Sequence, residues 1–381
     1  MRKPLAVAAW ILAALAARAQ EERPLPPPLR PAFTLDDRPY RTLAFIPAPA
    51  NPKAARPDGV ALAAGADSAL RILDLQPQRP SSQLLPTEQP IEEILYDAAA
   101  NLLVVRTRAF EPRLWNTLSW KPVRFALEDL DAGGLALRAS WPNEDGAAPL
   151  VLANPSRGIR LWRIGRPRGT LRPILQIDLR DLAGIPLQGV TAAAWAGPTL
   201  LLGSDQGHAY HLPSLRPLLQ SPSDVLGRLD RLSKTAGVLA LHRAAITSLT
   251  PDAQAERFVT ASLDGKIRLW KLSGIPSTSS PRKPIELPPE WEIPGHVADL
   301  TPDGRLLAVA DSEAVAVYHA PTGVPLAWNP TRVLKGKVVR LRLSPDGTFL
   351  AALVCRCRDC SGAPGPVRPG GTHAGDVVVW K

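Results

Sequence analysis

The sequence predicts an all-β protein assembled from seven similar strand meanders, and three observations carry that prediction. A short apolar strand ends on a large side chain after a tight turn seven times, and three of those strands spell Arg-Leu-Trp. Taking Leu73, Trp115, Trp162, His211, Trp270, Tyr318 and Trp380 as anchors, successive positions differ by 42, 47, 49, 59, 48 and 62 residues. The text before the anchors alternates apolar with polar residues and is broken by Pro, Asp and Gly, which marks hairpins rather than helices.

In chain order the strands are RILDL from Arg71, RLWNT from Arg113, RLWRI from Arg160, AYHLP from Ala209, RLWKL from Arg268, AVYHA from Ala316 and VVWK from Val378. The fullest unit, His242 to Leu272, reads as a strand, a Pro-Asp turn, a second strand FVTAS, an Asp-Gly turn and a third strand KIRLWKL. The same order recurs from Gly295, from Val338 and, more worn, from Gly189. One such unit cannot bury both of its faces, so the units must stack about an axis.

A period of about 40–45 residues with added loop length is the spacing of WD-repeat propeller blades, and the fifth unit resembles that family residue by residue. The family ties its blade with a His, a Ser or Thr, an Asp and a Trp. His242 precedes the first strand, Ser262 lies two before Asp264, and Asp264 lies six before Trp270. Gly295-His296 is similar to the family's Gly-His pair. The resemblance implies that His242, Ser262, Asp264 and Trp270 form a buried, structural hydrogen-bonded chain. It also implies a seven-bladed β-propeller of four-stranded antiparallel blades over residues 31–381, with the Trp strand third in its blade. A fourth strand is then missing after Lys381, and PAFTLDD from Pro31 is expected to complete the last blade as a clasp. A further resemblance, to periplasmic translocation-associated propellers, rests on the turns Thr301–Gly304 and Ser344–Gly347; the Arg-Leu-Trp strands favour the WD type.

Ahead of the repeats, Arg2 and Lys3 are followed by an apolar run from Leu5 to Ala17 and by Ala17-Arg18-Ala19. The run is shorter than the roughly 18–20 residues a membrane span needs, which predicts a signal peptide over residues 1–19, cleaved after Ala19. Residues 20–30 read as a Pro-rich spacer, and the mature protein is expected in a periplasm or outside the cell.

The formal net charge of +10 falls to +7 once Arg2, Lys3 and Arg18 leave with the signal. The basic residues are scattered, without the runs or interleaved aromatics that track a nucleic-acid backbone, so nucleic acid is not the expected partner. A protein partner is expected on a monomeric ring, with an anionic envelope surface as a second class. Enzyme signatures are missing: the sequence has no Gly-rich phosphate loop, no Gly-x-Ser-x-Gly and no His-Glu-x-x-His. The Asp residues of Pro302-Asp303-Gly304 and Pro345-Asp346-Gly347 belong to turn chemistry.

Two insertions break the repeat, at about 213–241 and 355–375. Within the first, Ser223 to Leu232 has the spacing of a short amphipathic helix. The second gathers all three Cys, as Cys355, Cys357 and Cys360, with His373 beyond. These four can present three thiolates and an imidazole to zinc or copper. A disulfide, most simply involving Cys360, is preferred because an oxidising compartment outweighs an imperfect ligand spacing. No cofactor is otherwise expected. The function that follows is a non-catalytic protein-interaction scaffold; the alternative is a periplasmic enzyme or metal-binding redox protein using the propeller mouth or the Cys355–His373 loop.

Overall fold

A computed structural model describes residues 31–47, 60–75, 82–97, 101–107, 112–123, 135–137, 149–154, 158–164, 171–177, 189–197, 199–213, 236–275, 284–311, 314–330, 336–355 and 375–381. The stretches expected to be a signal peptide and a spacer, the expected helix Ser223–Leu232, and Cys357, Cys360 and His373 lie outside them. Among the described residues the strands form seven sheets.

The first sheet holds β2 (Thr42–Ile46), β3 (Ala61–Gly65), β4 (Ala69–Asp74) and β5 (Ser82–Pro86). The second holds β6 (Ile91–Asp97), β7 (Leu102–Thr107), β8 (Pro112–Asn116) and β9 (Lys121–Val123), and the third β10 (Leu135–Leu137), β11 (Pro149–Asn154), β12 (Gly158–Ile164) and β13 (Leu171–Ile177). The fourth runs β14 (Val190–Ala196), β15 (Thr199–Ser204), β16 (His208–Leu212) and β17 (Gly237–Ala240). The fifth has β18 (Ile246–Pro251), β19 (Arg257–Ser262), β20 (Lys266–Lys271) and β22 (Trp291–Pro294), and β21 (Ile285–Glu286) between the last two crosses over to pair with β17 in parallel. The sixth holds β23 (Val297–Leu300), β24 (Leu306–Ala310), β25 (Ala314–His319) and β26 (Val324–Pro330). The seventh takes β27 (Lys337–Leu343), β28 (Leu350–Cys355) and β29 (Gly375–Trp380), and its fourth strand is β1 (Pro31–Tyr40), antiparallel to β29 with Phe33 opposite Val379.

Among the described residues, hydrophobic layers join five pairs of neighbouring sheets, as a stack of units that cannot bury themselves requires. Leu43, Phe45 and Leu62 of the first sheet pack with Leu353, Val377 and Val379 of the seventh. Ile46 and Leu70 meet Leu103 and Trp115 of the second. Leu201 and Leu239 of the fourth meet Phe258 and Trp270 of the fifth, whose Ile267 and Leu269 in turn meet Leu307 and Val309 of the sixth. Val315 and Val317 then pack with Leu341 and Trp380 of the seventh. Burying a side chain of this size contributes about 1.5–3 kcal/mol.

The turns obey local chemistry. In the sixth sheet the Thr301 hydroxyl donates to Asp303 Oδ1 at 2.6 Å and accepts from the Leu306 N–H at 3.0 Å. The seventh repeats this with Ser344, Asp346 and Phe349 at 2.5 and 2.8 Å. Partial burial alone would raise the Asp346 carboxyl, but the hydrogen bonds from Ser344 and Thr348 hold it below the usual range. These aspartates are consumed in closing hairpins. At the opposite strand ends, Gly207 has φ +79°, and a Cβ there would lie 2.4 Å from the His242 carbonyl oxygen. Only glycine fits both the left-handed backbone and that approach.

Candidate functional site

The fifth sheet carries one continuous polar chain, built from β19, β20 and the segment before β18. Thr260, in the middle of β19, points to the same face as Phe258 and Ser262, because alternate residues share a face. Its Oγ1 accepts the Trp270 indole N–H at 2.8 Å and lies 2.7 Å from His242 Nε2. His242 Nδ1 is 3.0 Å from Asp264 Oδ2, and the same oxygen accepts the Arg243 N–H at 3.3 Å while Oδ1 accepts the Lys266 N–H at 3.1 Å. One proton arrangement satisfies every atom: Trp270 donates to Thr260, Thr260 donates to His242 Nε2, and His242 Nδ1–H donates to Asp264. Burial, only partly offset by Asp264, lowers the His242 pKa and keeps the ring neutral. For Asp264, burial alone would raise the pKa, but the hydrogen bond from His242 and those from the Arg243 and Lys266 N–H groups hold it below the usual range. The Trp270 ring stands edge-on to His242 with centroids 6.1 Å apart and lies against Phe258 at 6.2 Å. The whole is closed to solvent, with the His242 side chain 0% and the Asp264 side chain 10% exposed.

The expected set of His242, Ser262, Asp264 and Trp270 is thus brought to one place, but Ser262 is not the hydroxyl that joins His242 to Trp270. Ser262 donates to the Ala244 carbonyl at 2.9 Å and accepts the Asp264 N–H at 3.1 Å, which fixes the turn carrying the aspartate. Thr260 does the joining, and only its neighbours reveal it, since Thr260 and Ser262 share a face.

Register explains why the chain is complete in this sheet alone among those described. Phe258 pairs with Trp270, and Thr260 sits two residues further along β19. The matching positions are Ala64, Val105, Leu202, Val309 and Ala352, all apolar. In the seventh sheet the Trp380 indole N–H accordingly has no hydrogen-bond partner. His296, expected to mirror His242, donates instead from Nε2 to the Val338 carbonyl at 3.0 Å, bridging the sixth sheet to the seventh.

The anchor of the fourth sheet also differs from the sequence expectation. Leu200 pairs with Leu212 as Phe258 pairs with Trp270, and the turns align Ser204 with Ser262 and Gly207 with Gly265. Leu212 therefore occupies the Trp position and is fully buried, while His211 falls one residue short and faces the other way. His211 borders a cleft of about 480 Å³ between the fourth and fifth sheets, at the strand ends away from His242. Burial lowers its pKa to about 4, and its Nδ1 is buried with no hydrogen-bond partner.

Of the Cys-loop residues, Cys355 closes β28, is buried and is disulfide-bonded. Among the described residues no three His, Cys, Asp or Glu side chains gather as a metal site.

Comparison with known proteins adds three findings. Residues 233–271 match the family described as WD domain, G-beta repeat, and so contain the whole His242–Trp270 chain. No curated protein matches the sequence. The fold is similar to the crystal structure of the β-propeller domain of Myceliophteria thermophila Cps50 (Swd1), at TM-score 0.62 and 15% identity over 93% of this chain and 99% of that one. The chain thus has a β-propeller fold that carries a WD repeat at residues 233–271.

Proposed function

We propose that this protein is an exported, monomeric ring of seven blades, closed by β1 as a clasp, that serves as a protein-interaction scaffold without chemistry of its own. The observation that carries this reading is the inward commitment of the fifth sheet's His242, Asp264 and Thr260. Every polar atom of that set has an internal partner, so the residues tie a blade instead of facing a substrate. WD-repeat propellers generally act as platforms for other proteins. The pairing of β1 with β29 supports closure, because it leaves the seventh sheet with the same four strands as its neighbours. Disulfide bonding at Cys355 supports export, since such bonds persist in oxidising compartments.

The test is affinity capture with the mature chain, begun at Gln20, from the cell envelope and the surrounding medium of its source. A protein retained in fixed stoichiometry, both by the parent and by a folded Asp264→Ala variant, is the expected result. Recovery of the native protein from the cytoplasm with residues 1–19 attached would overturn the exported part of the reading.

A further inference from the structure

The outer edge of the fourth sheet is occupied by a segment that comes from the fifth. β17, with the sequence GVLA, carries neither Pro nor charge, whereas the outer strands β9, β13 and β26 are blunted by Pro122, Pro173 and Pro325. The Leu241 N–H donates to the Gly207 carbonyl at 3.3 Å and so sets the phase of the β16–β17 ladder; Ala240, opposite His208, therefore turns its N–H and C=O outward. β21 lies along that edge in parallel, and its ladder covers two residues, Leu239 with Ile285 and Ala240 with Glu286. Ile285 and Leu287 share a face and pack, half-buried, on the layer of Leu239, Leu241, Phe258 and Trp270, while Glu286 between them is exposed. Pro284, Pro288 and Pro289 have no N–H with which to lengthen the ladder. What anchors the segment lies beyond it: the Glu290 N–H donates to the Leu269 carbonyl at 2.8 Å, and the Glu290 carboxylate is held by Arg257 and Lys271 at 2.8 and 2.9 Å. β21 can therefore lift from β17 without disturbing the four blade strands of either sheet. Two parallel pairs and two half-buried side chains hold it, which sets its opening at the low end of the local stabilities of the fold.

We propose that the outer edge of β17 is a strand-addition site for an extended segment of a partner protein, and that β21 is a strap which occupies the site until the partner displaces it. The strap states the chemistry of its replacement: an aliphatic residue, a polar one and a second aliphatic one, extended and parallel to β17. The two aliphatic side chains fall on the layer that takes Ile285 and Leu287, and the polar one meets water. Backbone hydrogen bonds supply the hold, and the two apolar places supply the choice. A tethered strap competes at high effective concentration, so the partner's affinity is scaled down by the fraction of molecules in which the strap is open. The proposal rests on the scaffold reading and assigns that reading a place.

The experiment is fluorescence anisotropy with a labelled, capped peptide copied from the strap, Arg-Lys-Pro-Ile-Glu-Leu-Pro-Pro, and a control peptide with Ser in place of Ile and Leu, against the full mature chain and two variants. Ile285→Ser with Leu287→Ser frees the edge. Ala240→Pro, added to that pair, removes the outward N–H at a place where an edge strand tolerates Pro. The freed variant is expected to bind the copied peptide about tenfold or more tighter than the parent does, and Ala240→Pro to return binding to the level of the control peptide. Equal binding by parent and freed variant, no binding by either, or binding that survives Ala240→Pro would overturn the site. Hydrogen exchange in the parent needs no variant to fold: after correction for intrinsic rates, the Ala240 amide, which faces the strap, should exchange about a hundredfold or more faster than the Leu239 amide, which faces β16. Equal protection of the two would show that the strap does not open. Capture of a partner by the intact protein that Ala240→Pro leaves undiminished would keep the scaffold reading and take this edge out of it.

Discussion

The Thr260 hydroxyl oxygen lies 2.7 Å from the Nε2 atom of His242, and both side chains are shut away from solvent. Thr260→Val keeps the shape of the side chain but leaves His242 Nε2 and the Trp270 N–H without partners. Each orphaned buried group costs about 1–3 kcal/mol. Ser262→Ala removes one bond to the Ala244 carbonyl and one from the Asp264 N–H, in a turn that keeps its backbone contacts, for about 1 kcal/mol. Urea unfolding should therefore rank Thr260→Val as the more damaging change. A reversed order would return the bridging role to Ser262.

Trp270 and Trp380 hold the same place in different sheets, and both are almost fully buried. Trp270 has a hydrogen bond to lose and Trp380 has none. Trp270→Phe should cost about 1–2 kcal/mol more than Trp380→Phe, the difference being the bond and the hydroxyl left short. Denaturant midpoints of the two variants, compared at equal slope, check this. Equal losses would mean that packing volume alone sets both.

The repeat was legible because turn residues and large strand-ending side chains survive even where the buried polar chain does not. Val309 and Ala352 stand where Thr260 does, in the uniformly apolar strands LLAVA and LAALVC, yet each strand still follows a Pro-Asp-Gly turn. What linear spacing missed has a common cause. Thr260 and Ser262 lie on one strand face, so position relative to Asp264 cannot choose between them. The size of His211 marks it as an anchor in the linear sequence, whereas the pairing of Leu200 with Leu212 sets the register. The crossing of β21 to β17 and the cleft beside His211 both arise between units, where no single stretch of sequence carries the signal.

The buried histidines make the fold acid-sensitive. Burial lowers His211 from 6.5 to about 4, and His242 and His296 are lowered in the same direction. Above pH 6.5 each ring is neutral in both states and contributes no pH dependence. Below 6.5 the unfolded chain takes up protons that the folded rings refuse, so stability falls as the pH drops and levels off once the folded rings protonate. For His211 alone the fall to about 4 corresponds to roughly 3 kcal/mol. His211→Leu should flatten the stability curve between pH 6.5 and 4 while leaving it little changed at pH 8. An unaltered slope would show that the folded His211 takes up its proton as readily as it does in the unfolded chain.

The N-terminal strand gives a prediction about the whole domain. β1 covers the edge of β29, and Phe33 and Leu35 pack on the layer shared with the first sheet. Deleting Pro31 to Asp37 removes that ladder and uncovers Val377 and Val379, and the thermal transition should shift down by about 5 °C or more. Deleting Gln20 to Arg30 should leave it unmoved. Equal melts for the two truncations would show that closure does not depend on β1.

The last prediction concerns the Cys loop, where the disulfide of Cys355 needs a partner among the chain's two other cysteines, Cys357 and Cys360. The longer of the two possible loops closes a disulfide with less constraint on the backbone, which favours Cys360 and leaves Cys357 as the free thiol. Closing so short a loop stabilises by about 2 kcal/mol in the chain-entropy account. Protein taken from an oxidising compartment should therefore show one free thiol, a Cys355–Cys360 linked peptide by mass spectrometry, and no stoichiometric metal. Reduction should lower the melting temperature modestly, and Cys357→Ser should not change it. Three free thiols with one equivalent of zinc or copper would overturn the pairing and make His373 a ligand.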